Sequence, residues 1–261
     1  MIYNVIRGAA MNIKDIDVKK LHNVGFVGKQ DPDKLSKSLK EYHLCLFSNR
    51  KMNSGSFTFE PGKLNEMIFN NGKVKITFTP DSITHAFQYS NRKWNGTTEK
   101  ETVADYCERD AGIKKLVEEY NAIDYTIGSS IVFPTKINDV SIGWTLNRAR
   151  GVLYAVHDRI DHTLECIRMY YDNETENNPL ADCLIKNKPF LDLYDGFKEF
   201  VDFFMLNDLV DENYKVKGYC GRINFNSPFP KTPEEYKEYM KSTNDFIKAR
   251  NKRIDDWIKQ L

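Results

Sequence analysis

Between Asn147 and Asp172 the chain reads NRARGVLYAVHDRIDHTLECIRMYYD, a run with helical periodicity and an ordered distribution of charge. At about 100° per residue, Val152, Leu153, Val156, Ile160, Leu164, Ile167 and Tyr171 fall in one broad apolar sector. Asn147, Arg150, Tyr154, Asp158, Asp161, Glu165 and Arg168 fall in the opposite sector. Consecutive members of that row lie close enough along a helix to touch. The spacing predicts one long central amphipathic helix, buried along its apolar side against a sheet or other helices. Three adjacent acids, Asp158, Asp161 and Glu165, repel by a few tenths of a kcal/mol per pair (~0.2–0.5) and need an offset. Arg150, Arg159 and Arg168 supply one; a divalent cation such as Mg²⁺ or the cations of a partner would supply another. The row is therefore either a salt-bridged structural face or the floor of a functional site.

The rest of the composition narrows the setting. The chain has 261 residues, enough for a sizeable core in a single domain, with residues 1–30 read as peripheral. Lys and Arg number 38 against 37 Asp and Glu. That near balance argues against a general electrostatic grip on nucleic acid or an anionic membrane and leaves room for a local basic pocket. Five cysteines, none in a Cys-x-x-Cys pair, read as buried reduced thiols of a cytoplasmic protein. No apolar run reaches the ~20 residues of a membrane span. MIYNVIRGAAM lacks the features of a signal peptide, and either Met1 or Met11 suits a start.

The first half is strand-rich. Ser54–Glu60 and Lys73–Thr79 alternate between faces, with Asn70-Asn71-Gly72 between them as a tight-turn signal. Tyr125–Phe133 reads as a buried strand ended by Pro134, and Thr135–Ser141 as a polar turn. Helices are expected over Asp33–Phe47 and Val103–Tyr120. In the second half, a short helix follows Asn178-Pro179 to about Lys186. Phe197, Phe200, Val201, Phe204 and Leu209 recur at helical spacing and read as core. A short strand is expected over Tyr219–Phe225. Thr232-Pro233-Glu234-Glu235 opens a last helix to Leu261: a Thr cap, Pro at the first turn, then acids at the positive end. Strands followed by helices, in blocks, give the expected class: α+β, an antiparallel sheet from the N-terminal half packed by a helical C-terminal half.

The run Ala149-Arg150-Gly151, Asp158-Arg159-Ile160-Asp161 and Thr163-Leu164-Glu165-Cys166-Ile167-Arg168, with Tyr170-Tyr171, resembles an uncharacterised bacterial family with an A-R-G…D-R-x-D-x-T-L-E-C-I-R-x-x-Y core. The resemblance extends over residues 31–254. It includes Asp31-Pro32-Asp33-Lys34, Tyr42-His43, Asp81-Ser82-Ile83 with His85, Gly128–Pro134 and Tyr194–Val210. Phe47 stands where many members have Trp, and Asn147 where Gln is common. The resemblance implies a domain of unknown function and supplies no reaction.

Candidate chemistry follows from the residues. No His-x-x-x-His pair suggests a zinc site. His43, His85 and Glu165 are the candidate catalytic residues, with His43 or His85 moving protons. Asn147, Arg150, Asp158, Arg159, Asp161 and Arg168 are the candidate ligand-binding residues. The three guanidinium forks would hold phosphate, and Asp161 and Glu165 would orient them or bind Mg²⁺. Six residues separate Arg150 from His157, the spacing of the HEPN-type ribonuclease motif. The leading expectation is a small enzyme or effector acting on a phosphate-bearing ligand, nucleotide or RNA, as in toxin or phage-defence systems. Its rival is a non-catalytic domain whose charged helix face binds a protein partner.

Overall fold

In a computed structural model of the chain, the residues described are 37–50, 57–59, 66–69, 74–93, 101–141 and 145–261. The N-terminal 36 residues, the Asp31-Pro32-Asp33-Lys34 motif, both ends of the Ser54–Glu60 expectation and the Asn70-Asn71-Gly72 turn lie outside them.

The alternation in the N-terminal half builds a five-stranded antiparallel sheet in chain order: β1 (Phe57–Phe59), β2 (Glu66–Phe69), β3 (Val74–Ser82), β4 (Ser130–Ile137) and β5 (Val140–Ser141). On β3, Ile76, Phe78 and Pro80 point into the core while their neighbours are half-buried, the period-2 pattern of a strand with one covered face. Strand β2 lies between the two strands expected from sequence; four residues are too few to show a period. Pro134 does not end β4. The strand runs on to Ile137, and the register shifts between Thr77 and Phe78, where Phe78 faces Pro134. A bulge leaves a backbone position unpaired, which suits a residue with no N–H. The expected polar turn is accordingly short, with Asn138 and Asp139 at positive φ before β5.

Helix α1 (Lys37–Asn49) precedes the sheet, and a helical pair interrupts it. The expected Val103–Tyr120 helix is two: α2 (Val103–Arg109) and α3 (Ala111–Ile123). Asp110 divides them, closing α2 with its backbone and capping α3 by accepting from Gly112 and Ile113 N–H. The C-terminal half supplies α4 (Leu146–Val152), α5 (Ile160–Tyr171), α6 (Ala181–Lys186), α7 (Lys188–Leu191), α8 (Phe197–Phe203) and α9 (Pro233–Ile258). Thr232 caps α9 as its sequence indicates, accepting from Glu235 N–H at 3.2 Å. Phe197, Phe200, Val201, Phe204 and Leu209 are all buried, as read. The expected strand over Tyr219–Phe225 is a series of turns; the nearby pairing is one bridge, Val210 to Val216. All five cysteines are buried thiols outside any disulfide. No helix among the described residues is long and apolar enough to cross a membrane.

The largest departure is the central helix. It breaks after Val152 and resumes at Ile160, with His157 (φ 46°) and Asp158 (φ 55°) both left-handed. The Asp158 N–H turns back to the Arg150 carbonyl at 2.8 Å, closing the reversal. Val156 thereby reaches the core at 0% exposure, whereas Val152, expected inside, is 52% exposed. Two consecutive left-handed non-glycine residues cost of order 1–3 kcal/mol each. Buried bonds from Arg150, given below, hold them.

Candidate functional site

Ser82 ends β3 opposite Ser130, and Ile83-Thr84-His85-Ala86 run on past the end of the strand, so the carbonyls from Ser82 onward need other partners. Each receives a side-chain donor from a distant element. Arg150 donates to Ser82 O (2.8 Å) and Ile83 O (2.9 Å), and Tyr120 to Thr84 O (3.2 Å). Tyr239 donates to His85 O (2.5 Å) and Tyr236 to Ala86 O. This row of bonds fixes the segment and ends at Phe87, itself left-handed at φ 57°. Three left-handed side-chain-bearing residues, Phe87, His157 and Asp158, thus meet at one place. Such strain persists only where surrounding structure over-determines it, and it concentrates at functional sites.

The rings there form a three-membered cluster. Phe87 is 4.7 Å from His85 and 5.3 Å from His157 (planes within 6°), and the two imidazoles are themselves in contact, 5.6 Å apart. Phe229 sets its edge against Phe87, His157 and Tyr154, while the Arg92 guanidinium covers its face at 3.7 Å. Of these groups Phe87, Arg92, Tyr154 and Phe229 line a pocket of about 80 Å³, together with Lys93, Val103, Pro230 and Tyr236; His85 and His157 stand behind Phe87, outside the lining. Arg92 and Lys93 are exposed, and among the described residues no carboxylate pairs with either.

Protonation follows from this packing. Partial burial holds His85 below the ordinary histidine range, with Asp158 opposing the shift and Arg92 adding to it. Burial, His85 and Arg92 push His157 down to about 4. Both rings are neutral at pH 7. Phe87 N–H donates to His85 Nδ1 at 2.8 Å, so the proton of His85 sits on Nε2 as an outward donor. His85 therefore suits donating a hydrogen bond better than abstracting a proton.

The charged row expected on one helix is split into three environments. Arg150 is fully buried. Besides Ser82 and Ile83 it donates to Thr163 Oγ1 (3.2 Å), Asp158 O (3.3 Å) and the Asp81 carboxylate. All five of its N–H groups thus have acceptors inside the protein. The Asp158 carboxylate lies 3.7 Å from the same guanidinium and is one-third exposed. Burial raises Asp81 to about 6 despite that guanidinium. Arg159 and Asp161 form a second buried pair, with Arg159 also donating to Pro228 O and Asp161 accepting from Tyr219 N–H at 2.8 Å. Burial alone would raise the Asp161 carboxyl; Arg159 overrides it and holds it below the usual range. Glu165 and Arg168 meet on the surface, where Arg168 also binds Asp172 (2.6 Å) and Glu174 (2.8 Å). Asn147 is half-buried on α4.

His43 lies elsewhere, in α1 against Tyr42 (5.0 Å), where burial and then Arg250 hold it down to about 3. No contact among the described residues joins it to His85. Arg150 and His157 are not on one helix, so the six-residue spacing does not place them on a common face. Among the described residues no three His, Cys, Asp or Glu side chains are grouped as metal ligands. Sequence reasoning missed Phe87, Arg92, Lys93 and Phe229 as site residues. Tyr154 carried a signal, an aromatic ring in the polar sector.

Fold and site together define an α+β protein with a rigid loop that presents an aromatic and cationic pocket beside two neutral histidines. The chain belongs to a family of unknown function, DUF6994, whose model matches residues 15–254. No curated protein and no solved structure matches it.

Proposed function

We propose that this pocket binds a phosphate-bearing ligand with an aromatic ring, the chemistry of a nucleotide. The observation that carries the reading is the pair Arg92 and Lys93, without carboxylate partners among the described residues, on the rim of a pocket walled by Phe87, Tyr154 and Phe229. Unpaired cations suit an anion, and aromatic faces suit a planar ring. Arg92 and Lys93 take the phosphate, the role that the sequence suggested for Arg150, Arg159 and Arg168. Tyr154, more than half exposed, stacks on the ring. His85 donates from Nε2, and neutral His157 accepts a proton where the ligand offers one. Arg150 acts at one remove, holding the Ser82–Ile83 carbonyls and the Asp158 turn.

A thermal-shift panel of nucleoside mono-, di- and triphosphates tests the reading. At a hundred times Kd a ligand stabilises by about 2.7 kcal/mol, or roughly 5–11 °C in a chain of this size. Arg92→Ala with Lys93→Ala should abolish the shift and leave the unliganded Tm nearly unchanged. A panel with no shift, or a shift that survives the double substitution, would contradict the proposal. The first of those outcomes would favour a non-catalytic domain that binds a protein partner.

A further inference from the structure

We infer that the pocket is one base position on a longer surface that takes a single-stranded oligonucleotide, with Tyr89 as the platform for a neighbouring base. The inference rests on the nucleotide reading of the same pocket and extends it from one residue of the ligand to a strand.

Volume gives the first argument. Sites that enclose a small molecule run to about 300–1,000 Å³. The pocket here holds about 80 Å³, enough for part of a nucleotide, so the remainder must lie across the surface. What lies beside the pocket gives the second. Tyr89 is 83% exposed, more than any other large hydrophobic side chain described. It occupies the turn Phe87–Ser90, closed by Ser90 N–H to Phe87 O at 2.8 Å. With so little of it buried, it contributes little to the core.

That turn is rigidly based. The carbonyls of Ser90 and Arg92 accept from Ala104 N–H (3.2 Å) and Val103 N–H (2.9 Å) at the start of α2, and Arg92 N–H donates to Ser90 Oγ (3.2 Å). Three residues of chain reach at most about 10 Å, so Tyr89 and Arg92 stand within reach of successive nucleotides. Exposed rings alternating with cations along a fixed rim are how proteins bind single strands without reading sequence, since every base offers a π-face and every linkage a charge. The near-zero net charge of the chain supplies no general attraction for a polyanion, so a strand would depend on local cations such as these.

Fluorescence anisotropy with the full chain tests this, using labelled single-stranded ribo- and deoxyribo-hexanucleotides competed by mononucleotide. The hexamer is expected to bind at least about tenfold tighter than the mononucleotide. Tyr89→Ala should cost the hexamer about tenfold, the scale of one base stacked on a ring, and leave mononucleotide affinity and Tm unchanged. With two phosphates at Arg92 and Lys93, log K should fall with log salt at a slope of about −1.4. Preference for the ribo-hexamer, or equal binding of both, supports the inference and tells whether a 2′-hydroxyl is read. A hexamer no tighter than the mononucleotide, or indifferent to Tyr89→Ala, overturns the inference while mononucleotide binding keeps the pocket reading. No binding of any of the probes overturns both.

Discussion

Replacing Arg150 by Met removes the guanidinium while keeping most of the side-chain volume, so the result reports bonds rather than a cavity. Arg150 is fully buried and ties the end of β3 to the break between α4 and α5. Its loss strands the largely buried Asp81 carboxylate, 17% exposed, and the carbonyls of Ser82, Ile83 and Asp158. Removing one partner of a buried ion pair costs about 3–5 kcal/mol, which in a chain of this length lowers Tm by roughly 6–20 °C. The deficit depends on pH in a definite direction. Burial already lifts Asp81 to about 6, above the ~3.9 of an unfolded aspartate, and loss of the guanidinium lifts it further. A carboxyl raised on folding destabilises the folded state when ionised. That penalty is full above the folded pKa and fades as pH falls through it. The variant's deficit is therefore larger at pH 8 than at pH 5. Urea and thermal unfolding of both proteins at the two pH values measure it. A loss below about 1 kcal/mol at pH 8, or one independent of pH, would refute the assignment of Arg150 as a buried cross-link.

Arg168→Ala should cost about 1 kcal/mol, well below the loss at Arg150, despite its three carboxylate partners, because Asp172 and Glu174 are half-exposed and none of the four groups is fully buried; chemical denaturation checks the contrast. His43, buried and held down to about 3, binds a proton in the unfolded chain from about pH 6.5 downward and resists doing so when folded. Stability should therefore fall as pH drops from about 6.5 toward 3, and His43→Phe should flatten that fall; Tm measured across the range decides it.

Local signals were legible in the sequence. The start of α9 at Thr232-Pro233-Glu234-Glu235 depends only on neighbouring residues, and β3 shows its period because one face is covered. The break in the 147–172 run was not legible. No proline interrupts it, and the left-handed turn at His157 and Asp158 is held through Asp158 by Arg150, whose other acceptors are Thr163 on α5 and groups on β3 and the segment after it. Helical angles assumed one continuous axis. Arg159 and Asp161, only two residues apart, meet because Arg159 sits before the first turn of α5 with extended backbone. The sequence draws attention to the charged residues, and in the fold Arg150 and Arg159 turn their charge inward. The pocket draws on Phe87, Arg92, Lys93, Tyr154 and Phe229, residues too dispersed for any spacing to reveal.

The central claim, a nucleotide-like ligand in the pocket lined by Phe87, Arg92, Lys93, Tyr154 and Phe229 and flanked by His85 and His157, is tested most directly by titrating the protein with adenosine monophosphate while following the histidine ring resonances by NMR. The rings of His85 and His157 should shift saturably, while buried His43 stays fixed, and Arg92→Ala with Lys93→Ala should remove the response. Saturable binding that leaves His85 and His157 unmoved would place the ligand elsewhere and contradict the account.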